Sequence, residues 1–397
     1  MRRKVDARYC TASSTFRLSR QDNAMANPLG SQFIYATCQV GAEAIIKKEA
    51  ASVGWRLAFS RPGFLTFKLS EVQPISSFLE MPSIFIRSWG ISLGKVGPGD
   101  PEQLACDVWK LLGEHPLDRL HVWPRDRAAP GHKGFEPRMT DESTAAERLL
   151  CATAPEHYSK LVATTNASSL AQRNEHVLDC ILVDPGQWWI GAHQVNRRVQ
   201  RWPGGIWSCN RPTATASRAY LKMCEALDWT CWPMKPGQRC VELGCSPGGS
   251  SQALLELGLR VVGVDPAEVD PRVMGHKDFQ HLRKRGHEVK RRDFNEFQWL
   301  VADMNVPPEV TLNTVGDIIT YRSTHIWGII LNIKLQTWEL ADQLPRYIEQ
   351  IRSWGFPRIR ARQLSKNRQE ICVAAFRPPR RLKRPTRRHP AAKHRGA

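Results

Sequence analysis

One stretch in the middle of the chain limits the possible folds more than any other. Residues 240–249 combine an apolar strand pattern with a turn that contains three glycines, and residues 250–257 then follow a helical pattern. A second apolar strand, 260–264, ends directly before Asp265. A glycine turn at a helix N-terminus brings bare backbone against a ligand, and an acid at the end of the next strand can accept hydrogen bonds from a ribose diol. This order of elements predicts a site for an adenosine-type cofactor.

Strand and helix patterns alternate through the whole region 206–376. Further apolar runs that are typical of buried strands lie at 299–302, 326–333, 359–364 and 371–376. Strands that alternate with helices favour a mostly parallel, doubly wound α/β sheet, in which ligands bind at the carboxyl ends of the strands. We therefore expect a Rossmann-like α/β domain over residues 206–376.

The glycine turn fits S-adenosylmethionine (SAM) better than it fits NAD. The turn reads Ser246-Pro247-Gly248-Gly249 and contains no intact GxGxxG pattern, which a dinucleotide would favour. SAM has no pyrophosphate and needs acidic and backbone partners instead. A purely structural alternative stays open, in which the glycines only let the helix pack closely on its strand.

The first 200 residues predict two smaller units. Residues 33–92 carry strand, helix and hairpin patterns that suggest a small α+β unit. Residues 93–200 contain a Pro/Gly-rich stretch at 124–137, which we expect to be an exposed loop, and end in a hairpin whose turn is Asp184-Pro185-Gly186-Gln187. The sequence Trp202-Pro203-Gly204-Gly205 predicts a linker, and we place a domain boundary near residue 200.

The net charge of +19 is concentrated at the two ends of the chain. Residues 377–397 contribute +9 without an acidic residue, and residues 1–24 contribute +4. We predict a disordered leader over 1–32 and a disordered basic tail over 377–397. Basic clusters attract polyanions, with RNA the usual partner, although such a tail could equally serve only solubility.

Composition excludes several classes of protein. The longest apolar runs are far shorter than the ~20 residues that a membrane helix needs. The eleven cysteines form no CxxC pair and follow no secretory signal pattern, so neither a disulfide framework nor a zinc knuckle is expected. We predict a cytoplasmic protein with no metal site, no membrane contact and no DNA partner.

Four polar residues in the same region complete the pattern. In chain order they are Lys222 in Ser-Arg-Ala-Tyr-Leu-Lys, Asp303 in Val-Ala-Asp-Met, Lys334 in Leu-Asn-Ile-Lys-Leu, and Glu370 after Ser-Lys-Asn-Arg-Gln. With the glycine turn, they resemble the Lys-Asp-Lys-Glu tetrad of the SAM-dependent ribose 2′-O-methyltransferases of the RrmJ/FtsJ superfamily. The similarity is to the RlmM-type branch, which acts on a cytidine of 23S rRNA, and it runs faintly back to about residue 33.

The resemblance implies a fold and a set of contacts. It implies a class I SAM-methyltransferase domain preceded by a ferredoxin-like unit over 33–92 and a THUMP-like RNA-binding domain over 93–200. The implied cofactor contacts are Ser246, Pro247, Gly248, Gly249, Asp265, Asp293 and Asp303. Two positions depart from the family pattern. Ser250 stands where a Trp usually follows the paired glycines, and Ala219 stands where the RlmM-type branch has a cofactor-contacting serine.

The chemistry of ribose methylation calls for these residue types. A 2′-hydroxyl must lose its proton as it attacks the sulfonium methyl group, and Lys334 is the candidate base because burial and a nearby Lys222 would lower its pKa. Asp303 and Glu370 oppose that shift and are better suited to orienting the lysines and the hydroxyl. Taken singly, Lys222 could be a surface charge, Asp303 a turn cap and Glu370 an edge charge.

Aromatic and basic residues cluster near the predicted boundary. They are Trp188, Trp189, Trp202 and Trp207 with Arg197, Arg198, Arg201 and Arg211. Such side chains can stack on unpaired bases and hold phosphates, or they can be ordinary core and linker residues.

The function predicted from the sequence is SAM-dependent 2′-O-ribose methylation of RNA, with a cytidine of 23S rRNA as the target. One alternative is a non-catalytic RNA-binding protein with a drifted methyltransferase fold, which the departures at Ser250 and Ala219 would suit. Another is a methyltransferase that acts on tRNA or on a base.

Overall fold

The computed structural model describes residues 29–77, 80–209, 212 and 214–378, and within these ranges the chain forms two seven-stranded sheets with helices packed on them. The strands are β1 (Gly30–Thr37), β2 (Arg56–Arg61), β3 (Phe64–Pro74), β4 (Ser88–Val96), β5 (Arg119–Pro124), β6 (His176–Asp184), β7 (Gln187–Gln194), β8 (Arg239–Leu243), β9 (Arg260–Val264), β10 (Phe279–Leu282), β11 (Trp299–Ala302), β12 (Gly328–Lys334), β13 (Arg358–Arg362) and β14 (Glu370–Phe376). The helices are α1 (Glu43–Ser52), α2 (Pro101–Leu112), α3 (Asp141–Ala152), α4 (Ser159–Ala167), α5 (Ala219–Thr230), α6 (Gly249–Glu256), α7 (Pro271–Met274), α8 (Pro308–Ile319) and α9 (Leu344–Ser353). Among the described residues no helix has the length and apolarity needed to cross a bilayer.

The first sheet joins both of the predicted N-terminal units. Its strand order is β2-β3-β1-β4-β7-β6-β5, and β4 pairs with β7 so that Ile91 lies opposite Ala192. The predicted boundary at 92/93 therefore falls inside strand β4 and does not separate two sheets. A sequence pattern marks where a strand ends but not which distant strand it pairs with, and that pairing is what unites these residues. The ferredoxin-like and THUMP-like assignments stay predictions.

The second sheet is mostly parallel, as the alternating pattern predicts. Its strand order is β10-β9-β8-β11-β12-β14-β13, and the first five strands are parallel neighbours. β14 runs antiparallel to both of its neighbours, so its first residue, Glu370, lies opposite Lys334 at the carboxyl end of β12. The same register brings Phe376 opposite Gly328 at the other edge. We call these the carboxyl edge and the amino edge of the sheet.

Helices cover both faces of the second sheet because its strands are apolar on both sides. One face packs Cys240 and Val261 against α5 and α6, where Met223 and Leu254 are buried. The other face packs on α8 and α9 through residues such as Leu312 and Ile351. Burial of a large aliphatic side chain contributes ~1.5–3 kcal/mol to stability, so the two helix layers hold the sheet firmly between them.

The predicted linker is a buried join between the two sheets. Pro203, Gly204 and Gly205 are buried, and a Cβ at Gly204, which has a φ of +59°, would collide with the ring of Trp123. Arg87 donates to the carbonyl oxygen of Gly204 at 3.0 Å and forms a buried ion pair with Asp126 at 2.7 Å. The Pro-Gly-Gly composition is thus required by close packing and does not indicate a free linker.

The aromatic cluster near this join serves mainly the core. Trp188, Trp189 and Trp207 are buried, and Trp189 packs its ring against Phe59 at 4.6 Å between centroids. These three rings cannot stack on RNA bases without unfolding the protein, so that part of the interpretation is wrong. Trp202 is half-buried, and Arg211 lies outside the described residues.

Residues at both ends of the described chain belong to the folded structure. Strand β1 starts at Gly30, three residues before the predicted strand, so residues 30–32 belong to the sheet rather than to a disordered leader. Arg377 donates to the carbonyl oxygen of Ile326 at 2.9 Å and lies over the ring of Phe356, so the predicted tail begins one residue too early. The rest of the predicted leader and tail, apart from Leu29 and Pro378, lies outside the described residues.

Candidate active site

Four polar side chains meet at the carboxyl edge of the second sheet. Lys222 comes from the first turn of α5, Asp303 follows β11, Lys334 ends β12 and Glu370 begins β14. The topology brings them together because β11 and β12 are parallel and β14 returns beside β12. Residues that are 148 positions apart in sequence, Lys222 and Glu370, are thereby in contact.

The four side chains form a closed ring of alternating charge. The Nζ atom of Lys334 lies 2.7 Å from Asp303 Oδ1 and also contacts Glu370 Oε2. The Nζ atom of Lys222 contacts Asp303 Oδ2 at 2.5 Å and Glu370 Oε1 at 3.1 Å. Two ammonium groups thus face two carboxylates with no net charge, which is the arrangement in which buried charges are tolerated.

The ring is largely removed from solvent, and this shapes its titration. Side-chain exposure is 9 % for Lys222, 7 % for Asp303 and 5 % for Glu370, but 20 % for Lys334. Burial opposes the charged forms of Asp303 and Glu370, yet the two ammonium groups outweigh it and hold both carboxyl pKa values below their usual range. Burial also opposes the charged form of Lys334, but Asp303 and Glu370 together raise its pKa. Asp303 and Glu370 therefore outweigh burial in setting the pKa of Lys334, a balance that the sequence left open. Lys334 is the most exposed member of the ring.

Two buried asparagines support the ring and are absent from the sequence prediction. The Nδ2 group of Asn367 donates to Glu370 Oε1 at 3.2 Å and approaches Asn332 Oδ1 at 3.5 Å. Asn332 lies two residues before Lys334, so the alternation of a strand puts both side chains on one face. An asparagine two residues before a lysine that ends a strand was the sequence signal that could have revealed Asn332.

A buried glutamate fixes the loop that leads into Glu370. Glu225 lies on α5, one turn after Lys222, and its carboxylate accepts hydrogen bonds from the backbone amides of Ser365 at 2.9 Å and Lys366 at 2.7 Å. Burial raises the pKa of Glu225, and the two amides partly offset this. The helix that supplies one lysine of the ring thus also anchors the loop that supplies one acid.

The glycine turn lies beside this ring, on the same edge. Gly244 has a φ of +78°, and a Cβ there would meet the backbone carbonyl of Asp303 at 2.9 Å. The Ser246 amide donates to Asp265 Oδ2 at 3.1 Å, which ties the turn to the end of β9. A Cβ at Gly249 would collide with Ser217 and the backbone of Tyr220, so Gly249 is required for close packing of α6 on α5. The structural reading of the glycines therefore holds for Gly249, whereas Gly244 brings the turn against the ring.

The donor set around the turn suits an adenosyl cofactor. Glu242, near the end of β8, interacts electrostatically with Asp265 after β9 and with Asp303 after β11. Burial, with further contributions from these neighbouring acids, raises the pKa of Glu242 to about 8. Glu242 is protonated at neutral pH and Asp303 is paired with two lysines, so Asp265 and the backbone amides of the turn are the groups left to bind an adenosyl ribose. The residues present therefore fit the adenosyl part of SAM.

The other predicted contacts differ in how they meet this edge. Pro247 and Gly248 lie in the turn itself, and Ser250 is buried in the first turn of α6, where its side chain interacts with Glu242. Ala219 is half-buried at the start of α5. Asp293 follows β10 and is 53 % exposed, and in the described chain its carboxylate has no ion pair other than Arg292 at 3.8 Å. Among the described residues no hydrogen bond or ion pair links the Asp293 carboxylate to the other predicted contacts, and its place near the adenine stays a prediction.

The N-terminal half of the chain approaches the edge of this site. Glu136, in the Pro/Gly-rich loop, pairs with Arg368 at 2.9 Å and with Arg218 at 3.3 Å. These two arginines flank Glu370 and Lys222 in sequence. A Cβ at Gly131 would collide with the Arg368 guanidinium, which explains a glycine in this loop. The loop is therefore packed against the neighbourhood of the ring.

Comparisons with known proteins agree with the motifs. The FtsJ-like methyltransferase family model matches residues 215–345. Ribosomal RNA large subunit methyltransferase M of Laribacter hongkongensis is 30 % identical over 326 residues, which cover 78 % of this chain and 85 % of that protein. The proteins of the same name from an Azoarcus species and from Thauera aminoaromatica are 27 % and 24 % identical, over 88 % and 82 % of this chain and 97 % and 89 % of theirs. The resemblance stated from the motifs is confirmed, and the chain belongs to the ribosomal RNA large subunit methyltransferase M family.

Proposed function

We propose that this protein transfers the methyl group of SAM to a ribose 2′-hydroxyl of large-subunit ribosomal RNA, with a cytidine of 23S rRNA as its target. The observation that carries the proposal is the closed ring of Lys222, Asp303, Lys334 and Glu370 beside the glycine turn. An amino-group or base methyltransferase has no need for two lysines held by two acids, whereas activation of a weakly acidic hydroxyl does.

The cofactor would be held at the turn by Ser246, Pro247, Gly248 and Gly249, with Asp265 at its ribose and Asp303 near the methyl donor. Bound there, SAM would supply an electrophilic methyl group. A carboxylate beside that position offsets the sulfonium charge, and the backbone amides of the turn provide neutral donors. Asp293 would lie near the adenine, as the resemblance implies.

Lys334 is the member of the ring that can reach a substrate, because it is the most exposed. Its raised pKa means that it is an ammonium group at neutral pH, and in this form it donates a hydrogen bond that fixes the 2′-oxygen. Only its deprotonated fraction can accept the hydroxyl proton. Lys222, Asp303 and Glu370 hold Lys334 in place and set that fraction.

The test is transfer of labelled methyl from SAM to unmodified 23S rRNA, followed by mapping of alkali-resistant linkages. We expect label in one alkali-resistant dinucleotide. Lys334→Ala should lower the single-turnover rate by ~10²–10⁴-fold. Lys235→Ala is the matched control, because Lys235 is exposed and lies before β8 at the amino edge. Label on a base would refute the ribose assignment, and full activity of Lys334→Ala would refute the role of the ring.

A further inference from the structure

A cavity with a basic lining lies between the two halves of the chain. A cavity of about 480 Å³ opens there, and we call it the arginine pocket. Its basic lining residues are Arg173, Arg197, Arg198, Arg201, Arg358 and Arg360. The first four come from the N-terminal half and the last two from strand β13, so the pocket exists only because the two sheets are packed together.

The arginine pocket is far from the candidate active site. It is lined by Arg358 and Phe376, which lie opposite each other at the amino edge of the second sheet. The ring lies at the carboxyl edge, where Lys334 pairs with Glu370. The two edges are separated by the length of β12, which is ~20 Å at 3.3 Å per residue. A single nucleotide cannot reach both places.

The lining carries a strong excess of positive charge. No aspartate or glutamate is among the residues that line the pocket in the described chain, and Asp228, just outside it, pairs with Arg198. Arg173 and Arg358 are exposed. The Arg360 guanidinium lies 4.5 Å from the centroid of the Trp229 ring and donates to the carbonyl oxygen of that residue at 2.9 Å, which fixes its direction. Six guanidinium groups around one cavity, with no carboxylate in its described lining, give it a positive potential that attracts anions.

We propose that the arginine pocket binds backbone phosphates of the substrate RNA at a point remote from the methylated nucleotide. This inference rests on the proposed function for the identity of the RNA. Arginine is suited to the task because its planar fork binds phosphate oxygens in pairs. Contacts at both edges of the sheet require an RNA that extends at least ~20 Å from the reacting ribose, so the pocket favours a long segment over a fragment of one or two nucleotides.

The experiment uses the full chain with two changes, Arg173→Gln and Arg358→Gln. These residues come from opposite halves, are exposed, and make no side-chain contact on which the fold depends in the described structure. The matched control changes two exposed arginines outside the pocket, Arg56→Gln and Arg148→Gln. Filter binding measures affinity for a domain-sized 23S rRNA transcript, for a short fragment that carries only the target site, and for an acidic peptide, each between 50 and 300 mM salt.

The pocket variant should bind the long transcript at least ~10-fold more weakly than the control, with a salt slope flatter by ~0.7–0.9 for each lost phosphate contact. Affinity for the short fragment should be unchanged. In methylation assays the KM for the long transcript should rise while kcat stays the same. Equal weakening by both variants, an equal loss with the short fragment, or selective binding of the peptide would overturn the proposal. RNA binding is measured without methyl transfer, so a failure of the proposed 2′-O chemistry would leave this readout intact.

Discussion

The most direct perturbation of the ring is Glu370→Gln, which removes one of the two negative charges beside Lys334. At a separation of ~3 Å and an effective dielectric constant of ~20, one unit charge is worth ~5 kcal/mol, or nearly 4 in pKa. Lys334 is 20 % exposed, so solvent screens part of this energy. We take half of it. The deprotonated fraction of Lys334 at a fixed pH should then rise ~100-fold.

The assay is the single-turnover rate of methyl transfer from pH 6 to pH 10. If Lys334 accepts the hydroxyl proton, the logarithm of the parent rate should increase with pH at unit slope without reaching a plateau, because the pKa of Lys334 is raised. In Glu370→Gln the plateau should move ~2 pH units lower, so that its profile begins to bend near pH 10 while the parent profile stays linear. The absolute rate can fall, because the glutamine orients Lys334 less well.

Asn367→Ala provides the control, because it removes the 3.2 Å hydrogen bond to Glu370 but leaves every charge of the ring in place. It should lower the rate without changing the shape of the profile. A parent rate that does not depend on pH, or a profile of unchanged shape in Glu370→Gln, would refute the reasoning that Lys334 titrates as the base.

Three further predictions concern stability. Gly249→Ala would drive a methyl group into Ser217, and overpacking of this kind costs ~1–3 kcal/mol, so thermal unfolding should show a Tm lower by several degrees; an unchanged Tm would mean that α5 and α6 separate freely. Glu242 has its pKa raised to about 8, so the folded protein holds a proton that the unfolded chain releases near pH 4.5, and stability is lost as the pH rises between these values; Glu242→Gln should flatten the dependence of Tm on pH from 5 to 9, and parallel curves would contradict it. Burial opposes the charged form of His193, but Asp179, 2.6 Å away, raises the pKa of the imidazole, so this pair stabilises the fold below pH ~6.5 and the contribution disappears as the pH rises through the folded pKa. Asp179→Asn should therefore cost ~3–5 kcal/mol at pH 6 and distinctly less at pH 9, as urea unfolding at the two values can test.

The sequence predicted the second sheet well because its signals are local. The apolar runs, the glycine turn and the order of strands and helices fall within short windows, and the strand bounds of β8, β9 and β11 follow from them almost to the residue. The first sheet was predicted less well. Its hairpins are local and were found, but the pairing of β4 with β7 joins residues about 100 positions apart, and no local pattern encodes that choice.

The candidate site shows the same difference between local and long-range signals. The residue types of the ring could be named from motifs, whereas Glu225 could not, because it acts through backbone amides 140 and 141 positions away. Asn332 and Asn367 were missed although they lie within three residues of Lys334 and Glu370. The aromatic cluster shows the opposite error. Trp188, Trp189 and Trp207 lie near arginines in sequence, yet packing buries the rings and leaves several of the arginines to line a pocket with residues of β13.

The sequence by itself determined the reaction class that this chain can support, since residue types and their order decide which groups are available and which strand ends carry them. Only the tertiary structure decided the protonation of Lys334 and the existence of the arginine pocket. A pKa depends on the distances to all nearby charges and on burial, and a pocket between two sheets depends on how they pack. Neither quantity exists until residues far apart in the chain are brought within a few ångströms of each other.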